Sequence, residues 1–118
     1  AAAASAGLGL CDLGREVRSM RVVSKKLRDS AKGQTCTLRL QGCGYDDGTV
    51  VLAHIPCGQK GMGMKGPDMV ACFACDNCHS ILDGRKRGEI TEGDQLRALA
   101  ETQLRWIADG LMTIKGAA

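Results

Sequence analysis

Four cysteines, arranged as two pairs, constrain this 118-residue chain more than any other feature of its sequence. Cys36 and Cys43 are seven residues apart, and Cys75 and Cys78 have the C-x-x-C spacing of a metal-binding turn. Four thiolates drawn from two such elements form a closed tetrahedral zinc site. The chain has one Phe, one Trp and one Tyr, so a metal ion would supplement a modest core. The sequence therefore predicts structural zinc on these cysteines; the alternative is that some are buried core residues.

The other three cysteines lie outside this pattern. Cys72 lies in an apolar run and is expected in the core. Cys57 lies in a Gly-rich loop and is a candidate substitute ligand for the zinc site. Cys11 belongs to the N-terminal stretch. The first residues lack the positive charge that begins a signal peptide. With seven cysteines, an odd number, and no export signal, we expect reduced thiols and metal ligation rather than disulfides.

The chain is predicted to form a single small domain. Residues 1–19 are rich in Ala and Gly, and we interpret them as an extension or flexible arm that precedes a domain over residues 20–118. Residues 20–32 are basic and could form a short helix or an arm. No apolar run approaches the roughly 18–20 residues that a transmembrane helix needs, so no membrane association is expected.

The pattern of apolar residues predicts an α+β fold. Residues 35–43 alternate in the manner of a strand, Asp47-Gly48 is typical of a hairpin turn, and residues 50–55 form the natural return strand. Residues 69–74 are a short buried strand or extended piece. Residues 75–88 begin as a zinc-binding turn and are expected to become helical near Cys78.

The clearest predicted helix covers residues 91–110 and would close the core. Asp94 is its expected N-cap, and Gly110 its expected first residue beyond the C-terminal end. Apolar residues recur at spacings of three and four and predict the buried face, namely Leu96, Leu99, Ala100, Leu104, Ile107 and Leu111.

The two histidines of the chain are both placed where they could do chemistry. His54 lies near the end of a predicted strand, and His79 follows the C-x-x-C turn at a helix start. Asp83 comes four residues after His79, so both side chains project from one helical face with the spacing of metal ligands. A c-type haem on Cys75-x-x-Cys78-His79 is the competing interpretation, with Met62 or Met64 as second ligand. It requires an export context and leaves Cys36 and Cys43 unexplained.

Taken in order, several motifs carry a resemblance to a known family. They are Cys36 and Cys43, "VLAHI" at 51–55, "KGPD" at 65–68, "ACDNCHSILD" at 74–83 and "ETQLRWIADG" at 101–110. The chain resembles HNH, or His-Me finger (ββα-metal), endonucleases, and more closely the YbcO-like nuclease family encoded by prophages. The resemblance spans roughly residues 26–115. It implies a β-hairpin plus helix around the four-cysteine zinc site, with a C-terminal packing helix.

The resemblance also implies a mechanism and a location. His54 takes the place of the general base, and His79 takes the place of a ligand to a catalytic divalent metal, Mg²⁺ or Mn²⁺, in a nuclease of the bacterial cytoplasm. Asp83 is an added candidate ligand from its helical spacing. Two positions depart from the HNH pattern: Ala53 stands where many members have a metal ligand, and Val70 stands where they have Asn. Asp68 is the nearest polar substitute; it could orient His54, join the metal, or be a turn residue.

The net charge is +3, and its distribution matters more than its size. Candidate phosphate contacts flank the proposed site or lie in the basic N-terminal arm: Lys65, Arg85, Lys86 and Arg87, and Lys25, Lys26 and Arg28. The alternative is that these runs are solvated surfaces. The scarcity of aromatic residues argues against a single-strand binder. The resemblance implies DNA as the partner, and since the sequence shows no recognition-helix pattern, we expect weak sequence preference.

Two functions therefore compete. The first is a metal-dependent HNH-type endonuclease. The second is a non-catalytic, zinc-stabilised DNA-binding or adaptor module with a degenerate nuclease site, which Ala53 and Val70 favour. The sequence leaves the oligomeric state open.

Overall fold

A computed structural model describes residues 22–57 and 66–117 of the chain. The described part is a small α+β domain, as predicted, with an antiparallel hairpin, helices and a cysteine cluster. The predicted N-terminal extension and most of the Gly-rich loop lie outside the described residues. In chain order the elements are helix α1 (Lys25–Asp29), strand β1 (Val51–His54), strand β2 (Ala71–Ala74), helix α2 (Asp76–Leu82) and helix α3 (Glu92–Ala108).

Strands β1 and β2 form the hairpin that carries the site. Val51 lies opposite Ala74, and His54 lies opposite Ala71. All four residues of β2 are buried, whereas β1 is partly exposed. The backbone of Phe73 accounts for this, because its N–H donates to Thr102 Oγ1 at 3.3 Å and its C=O accepts from Thr37 N at 2.8 Å. Strand β2 is thus covered by α3 and the segment around Thr37, and its predicted position at 69–74 is confirmed.

The predicted strand at 35–43 and the hairpin at Asp47-Gly48 are wrong. The segment instead forms an irregular loop, because its backbone turns through the left-handed region at Arg39 (φ 50°), Gly42 (φ 75°) and Tyr45 (φ 57°). The loop is closed by the bond from Cys36 N to Tyr45 O at 2.8 Å. Strand β1 therefore pairs with β2, which follows it in the chain, and not with the segment before it.

Helix α3 has well-defined ends. Its N-cap is Thr91 and not the predicted Asp94, which occupies the third helical position and completes a capping box. Asp94 N donates to Thr91 Oγ1 and Thr91 N donates to Asp94 Oδ2, both at 3.0 Å. At the other end, Gly110 has the predicted left-handed backbone (φ 77°). Gly110 N donates to Ile107 O and Leu111 N to Trp106 O, the two bonds of a Schellman motif.

The face of α3 that packs on the domain differs from the predicted one. The buried residues are Ala98, Thr102 and Trp106, and Leu99 packs partly against the core. The small side chains of Ala98 and Thr102 let the helix approach β2. Trp106 meets Phe73 edge to face at 6.0 Å, and its Nε1 donates to Ser30 Oγ at 2.7 Å. Residues predicted to be buried are exposed instead, namely Leu96, Ala100, Leu104, Ile107 and Leu111.

These opposite faces lead to opposite expectations for two substitutions in α3. Trp106→Ala should lower the free energy of unfolding by about 3–5 kcal/mol, because it opens a cavity against Phe73. Leu104→Ala, which changes a side chain on the exposed face, should alter it by less than about 0.5 kcal/mol in dilute protein. Urea denaturation monitored by circular dichroism measures both. Equal losses would show that the helix packs through its apolar periodicity after all.

Candidate active site and metal centre

The four predicted zinc ligands come together in the structure. The Sγ atoms of Cys36, Cys43, Cys75 and Cys78 all lie within 4.8 Å of one another. The Cys75 and Cys43 sulfurs are 3.9 Å apart, close to the edge of about 3.8 Å of a tetrahedron with zinc–sulfur bonds of about 2.3 Å. Across residues 22–57 and 66–117, this is the one group of three or more His, Cys, Asp or Glu side chains arranged to hold a metal ion.

Local structure explains why the cysteines converge. Cys75 is the N-cap of α2 and Cys78 lies in its first turn, while Cys36 and Cys43 come from the irregular loop. Backbone N–H groups in that loop point at the sulfurs: Gly44 N at 3.3 Å from Cys75 Sγ, Leu40 N at 3.4 Å from Cys78 Sγ and Tyr45 N at 3.2 Å from Cys43 Sγ. Hydrogen bonds of this kind favour thiolates. The donor set therefore fits a metal cation, and four thiols close the site in the manner of structural metal centres.

The start of α2 also forms direct hydrogen bonds with the irregular loop. Asn77 Nδ2 donates to Gln41 O at 2.6 Å, and Asp76 N donates to Thr49 Oγ1 at 2.9 Å. At Gly42 a Cβ atom would come within 3.0 Å of Asn77 Oδ1, at a φ that favours glycine. These contacts hold the loop and the helix together on both sides of the cluster.

The thiols differ in how readily they ionise. Burial opposes ionisation of Cys75, but the backbone N–H groups of Cys78 and Gly44 and the neighbouring thiols outweigh it and lower its pKa to about 7. Burial raises the pKa of Cys78 and of Cys43. A bound cation deprotonates such thiols outright. Metal affinity at the cluster should therefore fall as the pH falls.

The remaining cysteines take no part in the cluster. Cys72 is buried in the core, as predicted, and burial raises its pKa to about 12. Cys57 is exposed and lies outside the cluster, so its predicted role as a substitute ligand finds no support. Cys11, Met62 and Met64 lie outside the described residues. The haem interpretation loses its basis, since Cys75 and Cys78 both belong to the four-thiol cluster.

His54, the last residue of β1, is held by a buried carboxylate. Its Nε2 lies 2.8 Å from Asp68 Oδ1, and its side chain is 11% exposed. Asp68 itself is fully buried. It accepts further bonds from Arg28 Nε at 2.8 Å, Arg28 Nη2 at 3.1 Å and Ser24 N at 2.7 Å. Asp68, the polar substitute suggested by the sequence, thus contacts the candidate base directly.

The protonation state of Asp68 determines which nitrogen of His54 is free. Burial works to raise the pKa of this carboxyl, but the hydrogen bonds from Arg28, Ser24 and His54 outweigh it and lower the pKa below its ordinary value. An ionised carboxylate only accepts hydrogen bonds. The neutral His54 ring must therefore carry its proton on Nε2, which leaves the lone pair on Nδ1.

His79 and Asp83 form a second pair on α2. His79 Nε2 lies 3.1 Å from Asp83 Oδ2, as the spacing of four residues predicts. Both side chains are partly exposed, and Arg85 Nη2 lies 3.3 Å from the same carboxylate oxygen. In the described part of the chain they form no three-residue ligand group with His54 or Asp68. Ala53, which stands where many HNH enzymes have a metal ligand, is fully buried, and its side chain has no atom that could bind a metal.

The basic residues divide into two kinds. Arg85, Lys86 and Arg87 form an exposed run directly after α2, in which Lys86 Nζ contacts Asn77 Oδ1. Lys25 pairs with Asp29 at 2.7 Å, and Lys26 is exposed. Lys65 lies outside the described residues.

Arg28, whose predicted contact with nucleic acid stays a prediction, directs its guanidinium at Asp68. Sequence reasoning missed this role, because nothing local connects positions 28 and 68. The one cue in the sequence is the lone acidic residue of "KGPD", which needs a basic partner if it is buried.

Among the helices that the structure describes, none combines the length and apolar character needed to cross a lipid bilayer.

Comparison with known proteins places this chain in a family. Residues 25–112 match the family model described as "Putative nuclease YbcO". Two curated relatives with that description, from Escherichia coli strain K12 and Enterobacteria phage 82, are each 36% identical over 91 residues. The match covers 73% of this chain and 95% of each relative.

A solved structure is also similar. It is described as a "putative bacteriophage protein from Escherichia coli str. K-12 substr. MG1655", with a TM-score of 0.56 at 32% identity. The similarity covers 72% of this chain and all of the other. By the extent of the family match and the identity to its relatives, the chain belongs to the YbcO family of proteins described as nucleases.

Proposed function

We propose that this protein is a metal-dependent endonuclease of HNH, or His-Me finger, type that hydrolyses phosphodiester bonds in DNA in the bacterial cytoplasm. The observation that carries the proposal is the hydrogen bond between His54 and the buried, ionised Asp68. It occurs at the end of β1, in a strand–strand–helix unit whose helix α2 bears the His79–Asp83 pair. A charged orienting group on a histidine is a recurrent feature of general-base sites.

His54 is the general base in this proposal. Its Nδ1 takes a proton from the attacking water, while Asp68 fixes the ring through Nε2 and stabilises the imidazolium that forms. Of the roles considered for Asp68, orientation of His54 has the support, because its carboxylate oxygens already accept bonds from His54, Arg28 and Ser24.

His79 and Asp83 are the proposed ligands for a divalent ion, Mg²⁺ or Mn²⁺. Two protein ligands suffice for a magnesium-like ion, which keeps several waters and also binds substrate phosphate. When bound, the ion supplies charge stabilisation at the phosphate and the leaving oxygen. The adjacent imidazole and carboxylate are the donor types such a site needs, and both are accessible.

DNA is the proposed substrate, held by its backbone. The exposed run Arg85–Arg87 begins two residues after Asp83 and brings positive charge beside the proposed metal ligands. Contacts of this kind neutralise phosphates without reading sequence. We therefore expect weak sequence preference.

Zinc is the proposed metal at the four-thiol cluster. The zinc-loaded protein should contain one zinc ion per chain, measured by native mass spectrometry and elemental analysis. Cys36→Ser should lose this zinc and unfold, because metal binding and folding are coupled at structural sites. Cys57→Ser, a change at an exposed cysteine outside the cluster, should keep both zinc and fold. Zinc loss in the Cys57 variant alone would contradict the assignment.

The nuclease activity is tested on supercoiled plasmid with Mg²⁺ or Mn²⁺, with and without EDTA. The wild-type protein should nick the plasmid only with the ion. His54→Ala should be inactive while retaining zinc and the circular dichroism spectrum, because it removes the base without touching the cluster. Arg105→Ala, a change at an exposed residue of α3 outside the proposed site, should nick at close to the wild-type rate.

The second candidate function is a non-catalytic DNA-binding module, which the buried Ala53 and the absence of a third ligand beside His79 and Asp83 in the described chain favour. Intact plasmid under all conditions, together with binding that weakens with salt, would establish that function instead. Cleavage of an RNA substrate but not of plasmid would correct the substrate class.

A further inference from the structure

Helix α3 presents an apolar surface on its outer side. Leu96 is 67% exposed and Leu104 is 66% exposed, and together with Ala100 and Ile107 they form what we call the outer ridge. At about 100° per residue, these residues lie opposite the buried Ala98, Thr102 and Trp106. Single exposed leucines are ordinary, but a contiguous apolar stripe on one helix marks a surface that associates.

The outer ridge is complementary to itself in one orientation. Ala100 and Ile107 are spaced symmetrically about the midpoint between residues 103 and 104, and Leu104 lies beside that midpoint. A second copy running antiparallel would therefore place Ala100 beside Ile107, with the two Leu104 side chains close to the two-fold axis. The small Ala100 then faces the larger Ile107, which is how helices interdigitate. We infer that the outer ridge is a homodimer interface between two antiparallel α3 helices.

Charge favours the same orientation. An antiparallel pair keeps the two acidic first turns apart, at opposite ends of the interface. A parallel pair would instead oppose the acidic first turns, which hold Glu92 and Asp94. The flanking residues Arg97 and Arg105 are paired within their own chain, with Glu101 and Asp109. Antiparallel helix dipoles also attract.

The size of the ridge sets the strength of the dimer. From Leu96 to Ile107 the ridge is about 17 Å long, at about 1.5 Å per residue. Two such ridges would bury on the order of 1,000 Å² in total, at the low end of specific interfaces. We therefore expect a reversible dimer with a dissociation constant in roughly the micromolar range.

Sedimentation equilibrium of the zinc-loaded full chain tests the interface. The 12.4-kDa protein should pass from monomer to dimer between about 1 and about 200 µM. Leu104→Glu should remain monomeric throughout, because it places like charges at the two-fold axis. Val23→Glu, a change at an exposed apolar residue off the ridge, should dimerise as the wild type does. A wild-type protein that stays monomeric, or a Leu104→Glu variant that still dimerises, overturns the proposal.

A separate observation concerns the link between α1 and the candidate base. Val22, Ser24 and Arg28, at the start of the described chain and in α1, together contact the backbone N–H and the carboxylate of Asp68. Asp68 N donates to Val22 O at 2.9 Å, Ser24 N donates to Oδ2, and Arg28 donates to both carboxylate oxygens. Asp68 is fully buried, whereas the Arg28 side chain is 41% exposed. The guanidinium therefore reaches inward from the surface to the carboxylate that holds His54.

This geometry gives Arg28 a role that a lysine cannot fill. Its two nitrogens engage two oxygens of one carboxylate, and that fork fixes the plane of the carboxylate as well as its charge. The plane of the carboxylate in turn fixes the ring of His54 through Nε2. We propose that Arg28 is a positioning residue, which acts through Asp68 to keep His54 Nδ1 free as the base. The proposal rests on the proposed nuclease function.

Kinetics separate this role from the phosphate contact that the sequence suggested. Arg28→Met should lower kcat by about 10–100-fold with little change in KM, as loss of a supporting partner typically does. Arg28→Lys should show a smaller loss of kcat, because it keeps the charge but not the fork. Arg105→Met, a matched arginine change on α3 at a residue that pairs with Asp109 and not with Asp68, should leave kcat unchanged. A rise in KM with unchanged kcat in Arg28→Met would mean that Arg28 binds DNA, and would overturn the proposal.

A second readout does not depend on activity. Nitrogen NMR of neutral His54 should show the proton on Nε2 in the wild type and in Arg105→Met, and a mixed tautomer in Arg28→Met or Arg28→Lys. If the wild type fails to cut DNA but the tautomer shifts as expected, the nuclease function fails and the Arg28–Asp68–His54 link stands. An unchanged tautomer in both Arg28 variants overturns the link itself.

Discussion

The convergence of four thiols on one point is the constraint on which the rest of the structure depends. It joins an irregular loop to the first turn of α2, across more than thirty residues of chain. The loop has no ladder of hydrogen bonds to hold its shape, and several of its residues have left-handed backbone. Aromatic packing within the described residues is limited to Phe73 against Trp106. A small domain with so few large side chains relies on such a cross-link, because its core alone stabilises it little.

The candidate catalytic residues are supported by a different kind of interaction. Asp68 is a buried charge, and burying a carboxylate is costly unless it is paired and fully hydrogen-bonded. Arg28, Ser24 and His54 meet that requirement, and across the described residues every buried side-chain nitrogen or oxygen has a partner. The four-thiol cluster thus positions α2, while α1 and β1 are joined through a carboxylate. The two candidate elements of the active site, His54 and the His79–Asp83 pair, are held by independent means.

The sequence predicted those features that depend on local spacing. The C-x-x-C pair, the approach of Asp83 to His79 and the left-handed Gly110 all follow from a few adjacent residues, and the structure contains each of them. Of the features that depend on distant partners, the sequence suggested the meeting of the two cysteine pairs and the contact of Asp68 with His54, and the others were missed. The sequence of the loop at 39–48 has the pattern of a strand and a turn. Its left-handed residues, together with the cysteines that join the cluster, give it an irregular path instead.

The exposed face of α3 shows the limit of periodicity most directly. Its leucines form a better apolar stripe than Ala98, Thr102 and Trp106, yet the helix packs through the latter. The packing of Trp106 against Phe73, with small neighbours that let the helix approach β2 closely, determines which side of α3 faces the core. Periodicity identifies a face that avoids water, but it does not say whether the same chain covers that face. Likewise, no local pattern links Arg28 to Asp68.

Helix α2 has seven residues, fewer than the roughly 12–15 at which isolated helices become marginally stable in water. Its first turn is held by Cys75 and Cys78, and the next residue after Cys78 is His79. Under the zinc assignment, a chain that has not acquired its metal would lack both the helix and the geometry of the His79–Asp83 pair. Newly made protein would then be inert until it captured zinc, and the zinc supply of the host cell would set how much of it becomes competent.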